Sequence, residues 1–325
     1  MTASLFAARA GMSGVPDEPR AALLRIAMIA LVAHALFSAF SAFAFSTFLI
    51  PPYPAWLQTP SNQTVMRMGY RYGGQTTVVL GAVAGLAFLA SCIGFARTGI
   101  VFTVAFVLSL ASELTGTSTG LPFGVYGYTD QLGYKIAGLV PFNIPTSWFY
   151  MLVASLAICG RVLAPKDDQA SKWWWSLVGG LVLTAWDVSM DPAMVKTTHW
   201  VWSVPDLSHA SSVARIIGTP FFFGMPLTNW LGWLLTGILV ARAMLALVPP
   251  STWVRAVAPS NLPLWLYAVN GLLPLAICFA QDMRLAGVLG TIAMALPLIA
   301  ALRATPRVLP TRNAATLRPV SVSGR

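Results

Sequence analysis

The sequence predicts an all-α, polytopic integral membrane protein, built as a bundle of about eight transmembrane helices. Hydrophobic residues make up 57% of the 325-residue chain and charged residues only 9%, whereas a soluble domain carries roughly a quarter charged residues. Such a chain cannot cover itself with a polar surface. It also contains repeated apolar stretches close to the ~20 residues that a helix needs to cross a bilayer.

Eight stretches approach that length. They lie at residues 23–49, 76–96, 99–115, 137–160, 173–190, 216–241, 261–281 and 285–302. The second and third are separated only by the segment Ala-Arg-Thr-Gly at 96–99, which predicts a tight helical hairpin. Prolines such as Pro141, Pro145, Pro220 and Pro226 interrupt several spans. Breaks of this kind are tolerated where neighbours or a cavity satisfy the freed backbone groups.

These spans form one predicted transmembrane domain, at 23–303, between a cytoplasmic N-terminal tail at 1–22 and a basic, disordered C-terminal tail at 304–325. The apolar run from Ile26 to Ile50 is too long for the core of a typical signal peptide, so we expect an uncleaved first helix. With both termini in the cytoplasm, fourteen Lys and Arg residues fall on that side and six on the other. This asymmetry is consistent with the positive-inside rule.

The net charge of +10 does not predict a nucleic-acid-binding protein. The basic residues lie at the ends of apolar segments and not on a soluble module, so no nucleic-acid partner is expected. Cys92, Cys159 and Cys278 lie within apolar segments and show neither CxxC spacing nor a disulfide framework. We expect them to be buried structural thiols.

Three acids are predicted to lie at similar depth. Glu113 lies near the outer end of the predicted third helix, and Asp187 and Asp191 lie near the outer end of the fifth. Ionisable groups at membrane depth are costly and indicate function. The two aspartates are four residues apart and so share a helix face. Two neighbouring carboxyl groups in a poorly solvated site differ in proton affinity, because both cannot easily be ionised at once. This favours one protonated acid and one ionised base.

Other interpretations of the acids stay open. Asp191 could instead cap a new helix that has Pro192 at its first position. A D-x-x-x-D pattern also occurs in enzymes that hold magnesium diphosphates, but the basic residues that could bind phosphate are scattered over four segments. The histidines show no zinc-binding spacing. No metal and no cofactor is predicted.

Aromatic residues follow the acids along the chain and form the predicted substrate-binding set, together with one amide. Each aromatic taken alone fits a core or a membrane-interface role better than a ligand-binding role. The set comprises Tyr126, Tyr128, Trp148, Trp186, Trp200, Trp202, Asn229, Trp230 and Trp233. Asn229 and Trp233 share one face of the predicted sixth helix. An apolar site with a protonated carboxyl group beside such rings permits proton transfer to an alkene, because ring faces stabilise a carbocation.

The chain resembles the membrane carotenoid 1,2-hydratases of the CruF type, which belong to the carotenoid biosynthesis proteins. Five stretches carry the resemblance. They are ELTGTSTGLPFGVYGYTDQLG (113–133), VPFNIPTSWF (140–149), AWDVSMDPAMV (185–195), HWVW (199–202) and FFGMPLTNWLGW (222–233). The first helix and the last two are generic.

The resemblance implies a hydro-lyase that adds water across the terminal double bond of an acyclic carotenoid ψ-end and gives a tertiary alcohol at C1. Lycopene-like, γ-carotene-like or longer C50 carotenoids, such as those of the bacterioruberin series, would be substrates. The implied location is the cytoplasmic membrane of a bacterium or archaeon. The expected partners are the lipophilic carotenoid, water and membrane lipid, with other enzymes of the pathway as potential partners.

The family supplies no proven catalytic residue, so the roles are assigned on physical grounds. Asp187 lies deeper than Asp191 and is predicted to be the proton donor, with Asp191 as the ionised partner that handles water. Glu113 could exchange roles with either, and Asn229 would orient the water. Three alternatives stay open: another end-group reaction such as isomerisation, a non-catalytic carotenoid-binding scaffold, and a proton-coupled transporter.

Overall fold

The computed structural model describes residues 17–203, 206–208 and 210–304. Eleven α-helices are found in these ranges. They are α1 (Asp17–Thr47), α2 (Pro60–Ile93), α3 (Phe95–Thr119), α4 (Asn143–Val162), α5 (Gln169–Lys196), α6 (Ser212–Gly218), α7 (Leu227–Leu247), α8 (Pro250–Thr252), α9 (Leu262–Asn270), α10 (Leu272–Ala280) and α11 (Arg284–Arg303). The predicted tails fall largely outside the described residues, although α1 begins at Asp17 and not at residue 23.

The protein is an all-α, polytopic helical bundle, as the sequence predicted. Seven helical segments in the described ranges are long and apolar enough to cross a membrane, with α9 and α10 together forming one of them. The predicted fifth span, α5, is 28 residues long but is not among the seven. The cytoplasmic position of the termini stays a prediction.

Several predicted boundaries were wrong: α2 begins at Pro60 and not at 76, and α4 begins at Asn143 and not at 137. The turn between α2 and α3 is the single residue Gly94, whose φ of 87° suits glycine, so the predicted linker at 96–99 lies inside α3. The predicted span at 216–241 does not begin as one helix. Short strands β5 (Pro220–Phe222) and β6 (Met225–Pro226) form a hairpin before α7 begins.

The predicted span at 261–281 is broken between α9 and α10. Pro274 has no backbone N–H to donate to the carbonyl group of Asn270, four residues earlier. That carbonyl oxygen instead accepts a hydrogen bond of 2.9 Å from the indole Nε1 of Trp186 on α5. The break therefore provides an acceptor for a buried tryptophan.

Helix α4 lies at the centre of the bundle. In its membrane-length segment, 89% of residues are buried within the protein, against 22% for α3. Its core residues Trp148, Phe149 and Tyr150 are all nearly or fully buried. Side chains that α4 presents on different faces can therefore reach several neighbouring helices at once.

Two segments that lie between predicted spans form a two-stranded ribbon. Strand β1 (Tyr126–Tyr128) pairs antiparallel with β4 (Trp200–Trp202), so that Tyr126 lies opposite Trp202 and Tyr128 opposite Trp200. A second small hairpin joins β2 (Lys135–Ile136) to β3 (Val140–Pro141), directly before α4. Because residues two apart on a strand share a face, and so do residues directly opposite each other on paired strands, all four rings lie on one face of the first ribbon.

Phe123 fixes the start of this ribbon in a slot between α3 and α7. A Cβ atom added at Gly232 would lie 2.6 Å from the ring of Phe123 and 3.1 Å from the Cα atom of Phe123. We expect Gly232→Ala to lower the free energy of unfolding by about 1–3 kcal/mol through overpacking. Gly99→Ala is the control, because a Cβ atom there meets nothing within 4 Å.

That control should be neutral or stabilising by up to about 1 kcal/mol, the helix-propensity difference between the two residues. Thermal unfolding in detergent measures both variants. Equal melting temperatures for the two variants would contradict the close packing of Phe123 against Gly232.

Candidate active site

A cavity lies between the ribbon and the helices α1, α2, α3, α4, α5, α7, α9 and α10. Its volume is about 190 Å³, which is enough for the end of an apolar chain and a few waters of about 30 Å³ each. Most of the predicted site residues line it. They are Glu113, Tyr126, Tyr128, Trp148, Trp186, Asp191, Trp200, Trp202, Asn229 and Trp233.

Glu113 is held by three hydrogen-bond donors. The hydroxyl groups of Tyr126 and Tyr128 donate to its Oε2 at 2.5 and 2.8 Å, and the indole Nε1 of Trp148 donates to its Oε1 at 3.1 Å. The side chain is 2% exposed. Charge-assisted bonds of this type are about twice as strong as neutral ones, so the arrangement suits an ionised carboxylate.

The two tyrosines remain donors over the whole physiological range. Burial raises the pKa of Tyr126 and of Tyr128 well above the ordinary phenol value, and the neighbouring charge of Glu113 raises both pKa values further. Their alternation along β1 explains the geometry, since residues two apart on a strand point to the same side. The sequence stretch from Tyr126 to Tyr128 therefore provides a pair of phenols for one carboxylate.

The aspartates meet Asn229 from the facing helix α7. Its Nδ2 donates to Asp191 Oδ2 and lies 3.5 Å from Asp187 Oδ2. The two aspartates are also hydrogen-bonding neighbours, and both interact electrostatically with Glu113. The structure therefore brings together the three acids that the sequence singled out on two different helices.

The two aspartates differ in their access to the cavity. Asp191 lines the cavity, whereas Asp187 lies behind it and is fully buried. Among the residues that the structure describes, the Oδ1 atom of Asp187 has no hydrogen-bond partner. Helix α5 runs through Pro192 without a break as far as Lys196. Asp191 is therefore not an N-cap, and the capping interpretation was wrong.

Indole rings form one wall of the cavity. Trp148 and Trp233 stack with ring centroids 4.6 Å apart, and Trp186 meets Trp233 edge to face at 6.0 Å. On the ribbon, Trp202 stacks on Tyr126 at 5.0 Å. The cavity thus presents electron-rich ring faces beside the acids.

The structure places Trp230 outside this wall. It is not among the residues that line the cavity, and its ring packs at 5.7 Å against Phe222 of the β5–β6 hairpin. On a helix, residues 229 and 233 share a face while residue 230 points about 100° away. The helical period therefore separates Trp230 from its two neighbours in the predicted set.

Sequence reasoning missed Asn143, Asn270 and His199, which also line the cavity. Burial lowers the pKa of His199 to about 4, so this imidazole stays neutral at physiological pH. In the described ranges no group of three or more His, Cys, Asp or Glu side chains is arranged to hold a metal ion. The expectation of a metal-free reaction stays a prediction.

The fold and the site define a membrane-embedded helical protein with a buried acid cluster in an aromatic, apolar cavity. A family model described as carotenoid biosynthesis protein matches residues 73–297. The chain belongs to that family, whose matched region contains every residue of the acid cluster.

One curated relative gives a more specific likeness. The bisanhydrobacterioruberin hydratase of Haloarcula japonica is 26% identical over 141 residues, which are 43% of this chain and 42% of that protein. The aligned region thus covers less than half the length of the relative. No solved structure matches the chain.

The three hydrogen bonds to Glu113 generate a stability prediction. Tyr126→Phe removes one donor from a buried carboxylate, which costs about 1–3 kcal/mol. Tyr134→Phe is the matched control, because Tyr134 is 74% exposed, and its effect should stay within about 0.5 kcal/mol.

Thermal unfolding of the purified variants compares the two. An unchanged melting temperature for Tyr126→Phe would show that this hydroxyl group does not support Glu113.

Proposed function

We propose that the protein is a carotenoid hydratase that adds water to the terminal C1=C2 double bond of an acyclic ψ-end through a tertiary carbocation. The observation that carries the proposal is a carboxyl pair and an anchored third carboxylate inside an aromatic, apolar cavity. Family membership and the name of the Haloarcula relative support the substrate class. A hydro-lyase of this type needs no cofactor.

The shape of the cavity suits a long lipophilic substrate. Its lining extends from buried Trp186 and Asn270 to Phe40 of α1, which is 60% exposed, and to exposed Gly69 of α2. A polyene could therefore enter from the bilayer and place only its end beside the acids. The remaining chain would stay among apolar side chains and lipid, in the cell membrane.

Asp191 is the proton donor in this proposal, because it faces the cavity and Asp187 does not. This reverses the roles assigned from depth along the helix. Asp191 enters the reaction as a carboxylic acid and gives its proton to C2. Asn229 and a protonated Asp187 then stabilise the new carboxylate by donating hydrogen bonds to it, which makes proton release less costly.

Glu113 and the rings stabilise the cation that forms at C1. A carboxylate held by three fixed donors is a preorganised negative charge in a site of low dielectric constant, and it acts where positive charge develops. Each ring face of Trp148, Trp186 or Trp233 adds about 0.5–2 kcal/mol when water is excluded.

Water completes the reaction. Its oxygen forms a bond to C1, and one of its protons passes to the Asp191 carboxylate, which restores the acid and leaves a neutral tertiary alcohol. The substrate partners are accordingly a lipophilic carotenoid and water. Loss of a proton from the same cation would give an isomerised alkene, so hydration depends on where the water is held.

Two substitutions separate the roles of the aspartates. Asp191→Asn should retain carotenoid binding but lose hydration by about 10²–10⁴-fold, the usual contribution of a general acid. Asp187→Asn should lose less than about 10-fold, because an amide can still donate a hydrogen bond to Asp191. The hydration activity of both variants is measured by co-expression with an acyclic carotenoid pathway. The pigments are analysed by mass, and the yields are normalised to folded protein.

Asp130→Asn is the control, since Asp130 is exposed and pairs only with Lys135 at 2.9 Å. It should be as active as the wild type. Full activity in Asp191→Asn with loss in Asp187→Asn would return the donor role to Asp187, and full activity in both would remove the acid mechanism.

A further inference from the structure

Asn143 is the first residue of α4 and lines the cavity. Its side chain is fully buried, and within the described ranges neither its Oδ1 nor its Nδ2 has a hydrogen-bond partner. Burying both ends of an amide without partners is unfavourable, and most buried polar groups in proteins are paired. An unpaired amide that faces a cavity therefore indicates a polar ligand group inside that cavity.

The other two asparagines in the lining have partners. Asn229 donates to Asp191. Asn270 accepts from the Tyr150 hydroxyl group at 3.2 Å and donates to the backbone oxygen of Leu266 at 2.7 Å. Among the cavity asparagines in the described ranges, Asn143 is thus the one whose amide the protein itself leaves unused.

The chemistry of the ligand group follows from the amide. An acceptor and a donor on one side chain match a molecule that both donates and accepts, such as water or an alcohol. The polyene of the proposed substrate has no polar atom at its reacting end. Water and the alcohol product are the species in the proposed reaction that could satisfy Asn143.

We propose that Asn143 holds the water that attacks C1, an inference that rests on the proposed hydratase function. Its Oδ1 accepts one hydrogen of the water and leaves an oxygen lone pair free for the cation. The π electrons of the double bond form the C2–H bond with the Asp191 proton. The lone pair then forms the C1–O bond, and the remaining acidic proton of the water passes to the Asp191 carboxylate.

The position of this water decides the fate of the cation. With water in place, the cation is trapped as the alcohol. Without it, the cation survives until a proton leaves, which regenerates the alkene or shifts the double bond. Asn143 therefore controls the ratio of hydration to proton exchange and does not control the protonation step itself.

Reaction in D₂O tests this ratio. Asn143→Leu should lower alcohol formation by about 10-fold or more, as expected for loss of a positioned reactant, while deuterium still enters the recovered or isomerised alkene. The ratio compares two products of the same active molecules, so it does not depend on the yield of folded protein. The melting temperature should stay equal or rise, since an unpaired amide is replaced by an apolar group.

Asn261→Leu is the control. Asn261 is not among the residues that line the cavity, and its Oδ1 accepts a hydrogen bond of 2.7 Å from Arg161, so the change should lower the melting temperature and leave the product ratio unchanged. Asn143→Ala is the second variant, in case leucine does not fit, and it should shift the ratio in the same direction.

An unchanged ratio in Asn143→Leu and Asn143→Ala would overturn the inference, as would a parallel loss of alcohol and deuterium exchange. A wild-type protein that forms no alcohol would instead overturn the proposed function.

Discussion

The hydrogen bonding of Glu113 is the constraint on which the site depends. A carboxylate buried in an apolar bundle is strongly unfavourable unless donors surround it. Tyr126 and Tyr128 come from the ribbon and Trp148 comes from the central helix. Satisfying one carboxylate therefore fixes the loop after α3 against α4, and the pairing of β1 with β4 brings in Trp200 and Trp202. The contacts that offset the free-energy cost of burying the Glu113 carboxylate also close the cavity.

Within this frame, the polar groups that face the cavity are few. Asn229 donates to Asp191, and Asp191, unlike Asp187, lines the cavity, which is why the proposed mechanism gives Asp191 the role of proton donor. Trp186 is held by the carbonyl group that Pro274 frees, and so a helix break far along the chain fixes one ring of the wall. Within the described part of the chain, the buried amide of Asn143 has no protein hydrogen-bond partner.

The acids and most of the rings could be predicted from the sequence, because charges are rare in apolar segments and helical spacing places residues four apart on one face. Trp230 lies outside the cavity because the helical period turns it away from the face that Asn229 and Trp233 share. Asn143 was missed because an asparagine at a helix start is ordinarily a cap or turn residue; only its burial without a partner distinguishes it. The break before Pro274 and the β1–β4 pairing depend on contacts between distant segments, which local patterns do not encode.

The most direct measurement of the central claim is the origin of the atoms added to the carotenoid. The purified protein would be supplied with an acyclic carotenoid in water labelled with ¹⁸O and deuterium, in the presence of a metal chelator. The account predicts a tertiary alcohol that carries ¹⁸O at C1 and one deuterium at C2. An unchanged pigment, an alcohol oxygen derived from dioxygen, or activity that returns only on addition of a metal would contradict it.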